Sequence, residues 1–350
     1  MTHVTPGLHG WIILDKPVGL GSTQAVAAVK RNLREAGILG GRGGKKAKVG
    51  HGGTLDPLAS GVLPIALGEA TKLTGRMLDA SKTYEFAVRF GAETDTLDAE
   101  GQVIATSEVR PTLAQAQAVL ARFTGPIAQV PPAYSALKID GQRAYDLARA
   151  GQAVDMKSRA VTIHDLQILP GTGRRANRKL MEGASDAERS LGETPSTIAC
   201  GDDPPPRAGE DLAELTLLAN VSKGTYIRSL ARDIAQALGT CGTVTMLRRV
   251  KAGPFGLSQA ISLDKLNEIG KGAPIELILL PLEAGLDDIP ALDLDPEQAR
   301  AARQGRVLTG LAFQDGLYCA RHGSVPVALV ELSGGDARVV RGFNLNDVAE

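Results

Sequence analysis

The sequence predicts an α+β fold that ends in a small β module, and three observations lead to that class. Apolar and polar residues alternate at 84–90 and again at 215–221, the period of a half-buried strand. Val26, Val29 and Leu33, and later Ile227, Leu230, Ala231, Ile234 and Leu238, recur at helical spacing. Strands and helices are mixed without a strict strand–helix–strand alternation, which points away from a doubly wound parallel sheet.

In chain order, Trp11-Ile12-Ile13-Leu14 reads as a short buried strand, followed by a turn at Lys16–Gly19. A helix opens at Ser22 or Thr23 and Gly37 stops it. The basic, glycine-rich stretch 40–48 is expected to be a flexible loop. Residues 112–123 are predicted helical behind Thr112, and 142–150 form a second short helix closed by Gly151. Between them Pro131 and Pro132 impose extended backbone before Tyr134. Further strands are expected near 161–169 and 215–221. Residues 171–210 shift to Gly, Pro, Ser, Arg and Glu with little apolar periodicity, the signature of a disordered insertion. Thr225 is expected to cap a helix with Tyr226 and Arg228 in its first turn. After Pro290, strand candidates at 316–320, 325–331 and 337–342 are separated by glycine turns. At 350 residues the chain suits a large domain with a small one, divided here into 1–286 and 287–350.

The formal net charge is zero, yet charge is segregated. Residues 30–48 hold seven basic side chains and one acid, 223–251 hold six and one, and 281–300 hold six carboxylates against Arg300. One basic run is ordinarily a solvated face; two make a nucleic-acid partner reasonable. Cys200, Cys241 and Cys319 show neither disulfide nor metal-ligand spacing, and a cytoplasmic setting is expected. The N-terminal residues lack a basic, long apolar leader, and no apolar run approaches membrane-spanning length.

Several motifs fail. Lys46 stands where a phosphate-binding loop needs Ser or Thr, and Leu55 replaces the third glycine of a dinucleotide fingerprint. The five histidines are scattered, so neither metal nor cofactor is expected. What stands out is Asp56, preceded by Gly50, Gly52 and Gly53 and followed by Pro57, which allows a close-approach loop with one carboxylate at a turn. On its own an Asp-Pro pair is ordinarily a plain turn or helix start and would not identify an enzyme.

The blocks GWIILDKPVGLGS (10–22), KVGHGGTLDPLASGVLPIALGEATKL (48–73), KTYEFAVRFGAETDTLDAEG (82–101), QVPPAYSALKIDGQRAYDLARAG (129–151), SKGTYIRSLARDIAQALG (222–239) and LRRVKAGPF (247–255) resemble, in order, TruB-type tRNA pseudouridine-55 synthases. The resemblance implies a pseudouridine-synthase catalytic domain with a mixed, mainly antiparallel sheet and flanking helices. It also implies a reduced PUA-type RNA-binding module at 287–350. The implied activity is isomerisation of uridine in the tRNA T loop, a step in tRNA processing, by a stand-alone monomer without guide RNA.

By the same resemblance Asp56 is the nucleophile, and Arg228 the cation that holds it ionised. Tyr84 stacks on the target base and is a candidate for removing its C5 proton, His51 enters the RNA where the base is flipped out, and Tyr226 and Leu247 line the base pocket. Read without it, Tyr84, Tyr226 and Leu247 would be packing residues, Arg228 a surface helix residue and His51 an exposed loop residue. Gly52 departs from the threonine that many members carry beside this histidine.

Three rivals are separable. A retaining glycosidase needs a second carboxyl group as general acid, for which Glu69, Asp95 and Asp98 are available. A non-catalytic RNA-binding protein would use only the basic surface. A guide-RNA-dependent relative would carry a different C-terminal part.

Overall fold

The computed structural model describes residues 8–40, 47–139, 141–152, 154–170 and 211–345. Most of the expected loop at 40–48 and all of the expected insertion at 171–210 lie outside them. By packing, the chain divides into one unit of residues 1–82 and 248–350 and another of 83–247. These boundaries fall inside the strands Lys82–Phe90 and Gly242–Ala252.

In the first unit, strands Gly10–Lys16 and Ser60–Leu67 are apolar along almost their whole length because both faces are covered. They pair antiparallel from Gly10↔Leu67 to Lys16↔Gly61. The opposite edge of Ser60–Leu67 is split between two partners. Val49–His51 runs antiparallel beside its far end, His51↔Ile65 to Val49↔Leu67, while Arg248 and Arg249 run parallel beside Ser60 and Gly61. Chain 52–59 must therefore leave the sheet where the partner changes, and it carries Asp56.

Gly61 makes this close approach possible. Its φ is +102°, and a Cβ would overlap the Arg249 carbonyl. Gly61→Ala is accordingly expected to cost about 2–4 kcal/mol in urea unfolding, from the overlap plus the left-handed backbone.

The helix Ser22–Glu35 opens where the spacing predicts, and Gly37, at φ +71°, turns the chain out of it. Trp11 anchors the core beside this sheet. Its ring lies 5.2 Å from that of Phe255, and its indole N–H donates to the Leu282 carbonyl at 3.1 Å. Cys319, Leu329 and Phe343 pack into the same core. The last four strands, Ala291–Asp293, Gly316–His322, Val325–Ser333 and Asp336–Gly342, form their own sheet in that order. Leu292, Val327, Val330 and Leu332 fill its core against Ala299 and Ala302 of the helix Pro296–Arg303.

In the second unit, strands Gly125–Gln129 and Glu214–Val221 both pair antiparallel with Arg159–Ile168, and Glu214–Val221 neighbours Lys82–Phe90. Leu215, Leu217, Ala219 and Val221 face inward by strict alternation and meet Phe86, Val88 and Phe90. Ile227, Leu230, Ala231 and Ile234 of the helix Ile227–Ala237 close this core.

Two expectations shift. The helix predicted at 142–150 is Ala144–Arg149, because Gly141 turns the chain at φ +85° and Gln142–Arg143 pairs with Lys138–Ile139. Thr225 does not cap the next helix; Tyr226 occupies the cap position in extended backbone. Its N–H donates to Gln129 Oε1 at 2.8 Å, and its carbonyl accepts from Gln129 Nε2 at 3.1 Å. A side chain 97 residues away thus anchors the cap residue through both its backbone groups.

Candidate active site

Asp56 and Pro57 open a β-turn closed by a hydrogen bond from the Ala59 N–H to the Asp56 carbonyl at 3.1 Å, with Asp and Pro in their favoured places. Leu55 turns inward and is buried, so Asp56 turns outward with its carboxylate exposed. Beneath it the amide and carbonyl of Leu55 bond to the hydroxyl of Ser22 at 2.8 and 2.9 Å. The Pro57 carbonyl accepts from the Gly19 N–H at 2.8 Å and from Lys16 Nζ at 3.3 Å.

Arg248 and Arg249 are adjacent in a strand and so point to opposite faces. Arg248 makes a two-pronged pair with Asp15, at 3.1 and 2.7 Å. Arg249 enters the gap left by the departing loop, 1% exposed. It donates to the carbonyls of Val62 (2.8 Å), Thr54 (3.2 Å) and Gly53 (3.2 Å).

His51 closes the strand on the other side of this loop. Burial first, and the Arg249 charge second, hold its imidazole below the usual range, so it is neutral at physiological pH. Among the described residues its buried Nδ1 has no hydrogen-bond partner.

Lys16 is fully buried and also donates to the carbonyls of Pro17 and Leu20. Burial lowers its pKa from 10.5 to about 8, with Asp56 pulling it up and Arg249 pushing it down. Between these values the unfolded chain keeps a proton that the folded chain has lost, so this group's contribution to stability rises with pH. Wild type is therefore expected to gain stability relative to Lys16→Met between about pH 8 and 10, as paired urea melts would show.

In the second unit, Tyr84 and Leu247 are half-buried and pack against the same core, which includes Phe86, Ile227 and Val244. Tyr226 and Arg228 stand at the start of the helix Ile227–Ala237. Arg228 is not a surface residue; it is 7% exposed. Nη1 pairs with Asp98 Oδ2 at 3.1 Å and bonds the Thr96 carbonyl at 2.8 Å, and Nη2 bonds the Tyr134 carbonyl at 2.9 Å.

Asp98 Oδ1 in turn accepts from Thr96 Oγ1 at 2.5 Å and from the Glu100 N–H at 3.1 Å. Leu97, directly before Asp98, has left-handed backbone at φ +63°, a strained conformation for a leucine.

Within the units the structure thus brings His51 together with Asp56 on one hairpin, and sets Tyr226 and Arg228 on one helix start. The contacts of Ser22 with Leu55, of Arg249 with the loop carbonyls and of Asp98 with Arg228 have no local signal in the sequence. From sequence Asp98 is only a candidate general acid, whereas in the fold both its oxygens are bonded, to the Arg228 guanidinium on one side and to the Thr96 hydroxyl and Glu100 amide on the other. Glu69 and Asp95 are similarly engaged: Glu69 with Lys72 and the Asn344 N–H, Asp95 with the Gln102 N–H and the Tyr134 hydroxyl. Among the described residues no helix is long and apolar enough to cross a membrane.

Comparison with known proteins finds related sequences and a related fold. Residues 42–182 match the family described as TruB family pseudouridylate synthase (N terminal domain), and residues 228–287 match the tRNA pseudouridylate synthase B C-terminal domain. The chain is 64% identical over 343 residues to tRNA pseudouridine synthase B of Novosphingobium aromaticivorans, covering 98% of this chain and 100% of the relative. It is 52% identical over 340 residues to tRNA pseudouridine synthase B of Zymomonas mobilis, covering 97% of each. Among solved structures, a chain of an H/ACA RNP bound to a substrate RNA containing 2′-deoxyuridine matches with a TM-score of 0.62 at 21% identity, covering 95% of this chain and 84% of that one. A chain of the archaeal box H/ACA sRNP Nop10-Cbf5 complex matches with a TM-score of 0.59 at 22% identity, covering 95% and 86%. At such identities the structural likeness establishes the fold.

Proposed function

The chain belongs to the TruB family and is an isomerase that acts on tRNA, and from that premise we propose that it converts uridine-55 of the T loop to pseudouridine with Asp56 as nucleophile. The observation that carries this reading is the Asp56 turn: an exposed residue directly after Leu55, which is buried and hydrogen-bonded through both its amide and its carbonyl to Ser22. Such a carboxylate can meet substrate while its backbone is held in place, which is what a nucleophile needs.

The reaction breaks the bond from N1 to C1′, turns the uracil and joins C5 to C1′. The C5 proton leaves to a base, and N1 gains one. There is no net oxidation, hydrolysis or phosphoryl transfer, so the chemistry calls for neither metal nor cofactor. Attack at C1′, addition at C6 and assistance in removing a sugar proton all draw on the same carboxylate, so the assignment of Asp56 holds for each.

The base must leave its stack to reach this group, at a cost of a few kcal/mol that is smaller in a loop than in a duplex. A neutral His51 suits the vacated place, because an uncharged ring loses less hydration there than an imidazolium. Tyr84 offers a stacking face and a phenol near C5, with Tyr226 and Leu247 as the walls. Arg228, already fixed by Asp98, is the cation assigned to Asp56. Residues 287–350 act as a PUA-like RNA-binding module, and the enzyme works as a cytoplasmic monomer.

The test is site-resolved mapping of an unmodified tRNA transcript incubated with the purified protein alone. One pseudouridine in the T loop is expected. Modification elsewhere, or only after a guide RNA is added, would overturn the reading.

A further inference from the structure

The loop that leaves the sheet after His51 has every carbonyl from 53 to 57 engaged. Gly53 and Thr54 accept from Arg249, Leu55 from Ser22, Asp56 from the Ala59 N–H, and Pro57 from the Gly19 N–H and Lys16. A loop with no strand beside it would ordinarily leave such groups to water. Two of these donors are side chains that come from other elements and end at the residues just before Asp56.

Taking Asp56 as the reacting carboxylate, we propose that Ser22 and Arg249 are positioning residues that fix the backbone immediately ahead of it. Ser22, 5% exposed, both donates to and accepts from Leu55, as a paired strand would. A single hydroxyl thereby sets the orientation of the peptide that precedes the nucleophile. Arg249 spans the loop's base. Its Nε holds Val62 at the return, while Nη1 and Nη2 hold Thr54 and Gly53 at the departure.

Only a planar fork reaches three carbonyls in this way; a lysine ammonium at the same place has no such spread. The engagement is also costly to build without a purpose. Among the described residues Arg249 has no carboxylate partner, so a guanidinium is buried against carbonyl dipoles alone. Neither side chain is exposed enough to meet RNA, whereas Asp56 is. Their effect on the reaction must therefore pass through the loop.

The test uses the full chain with a tRNA transcript and compares wild type, Ser22→Ala, Ser22→Thr, Arg249→Lys and Asp56→Asn. Single-turnover rate, tRNA dissociation constant and melting temperature are read for each. Ser22→Ala and Arg249→Lys are expected to lower the rate about 10–100-fold, the range for a catalytic group displaced by about 1 Å. Affinity for tRNA should stay within about threefold of wild type, and Ser22→Thr, which keeps the hydroxyl, should restore most of the rate. Should Arg249→Lys fail to fold, the Ser22 pair carries the test, since deleting one oxygen leaves the helix Ser22–Glu35 with its cap at Gly21.

The proposal is overturned if Ser22→Ala turns over like wild type while Asp56→Asn is inactive. It is equally overturned if the loss of rate is matched by a loss of affinity, or if Ser22→Thr is as slow as Ser22→Ala. A fully active Asp56→Asn would instead reject the assignment of the nucleophile, a different and recognisable failure.

Discussion

Asp56→Asn is expected to slow pseudouridine formation by at least about 1,000-fold, which corresponds to about 4 kcal/mol of lost transition-state stabilisation. Binding of tRNA, measured by filter retention, should change by no more than about threefold. Asparagine has the same shape and suits the first position of a β-turn as well as aspartate does, so the backbone bond from Ala59 and the clasp of Ser22 on Leu55 persist. What disappears is the negative charge and the nucleophilic oxygen. A rate loss that came with a comparable loss of affinity would mean that the turn itself had moved.

Arg228→Met should produce the second largest effect, and on two quantities. Removing the guanidinium strands Asp98 in a buried place, which costs about 3–5 kcal/mol of stability by urea unfolding. Turnover should fall below detection, because the cation assigned to Asp56 is gone. The double variant Arg228→Met with Asp98→Asn separates the two. Neutralising both partners should recover much of the lost stability, since no unpaired charge remains buried, while turnover stays absent. Recovery of turnover in the double variant would show that Arg228 serves the fold alone.

Much of this fold was legible because one face of each element meets water. The 214–221 strand alternates residue by residue, and the 22–35 helix keeps its apolar stripe, so periodicity gave both. It was silent where elements are covered on both sides. Ser60–Leu67 is an apolar run interrupted by Pro64, and Gly242–Ala252 holds two consecutive arginines, neither of which reads as a buried strand. Yet burying Arg249 in the second is what clasps the loop released by the first.

The site divides in the same way. Asp56 was findable because the glycines around it and the Asp-Pro turn are local, and the resemblance to a family supplied its role. Arg228 by itself read as a surface residue; its burial depends on Asp98 and on the carbonyls of Thr96 and Tyr134, distant in sequence and invisible to any local pattern. Ser22 looked like nothing more than the start of a helix. Its bonds to Leu55 span 33 residues and exist only once the chain is folded.

The claim that one carboxylate at position 56 carries the isomerisation is tested most directly through the hydrogen at C5, which must leave as C5 joins C1′. A tRNA transcript tritiated at uridine C5 is mixed with excess wild-type protein or excess Asp56→Asn, and tritium release to water is followed through a single turnover. Wild type is expected to release the tritium of one T-loop uridine per tRNA, and Asp56→Asn to bind the same tRNA and release none on that timescale. Release by Asp56→Asn at the wild-type rate would contradict the assignment of Asp56.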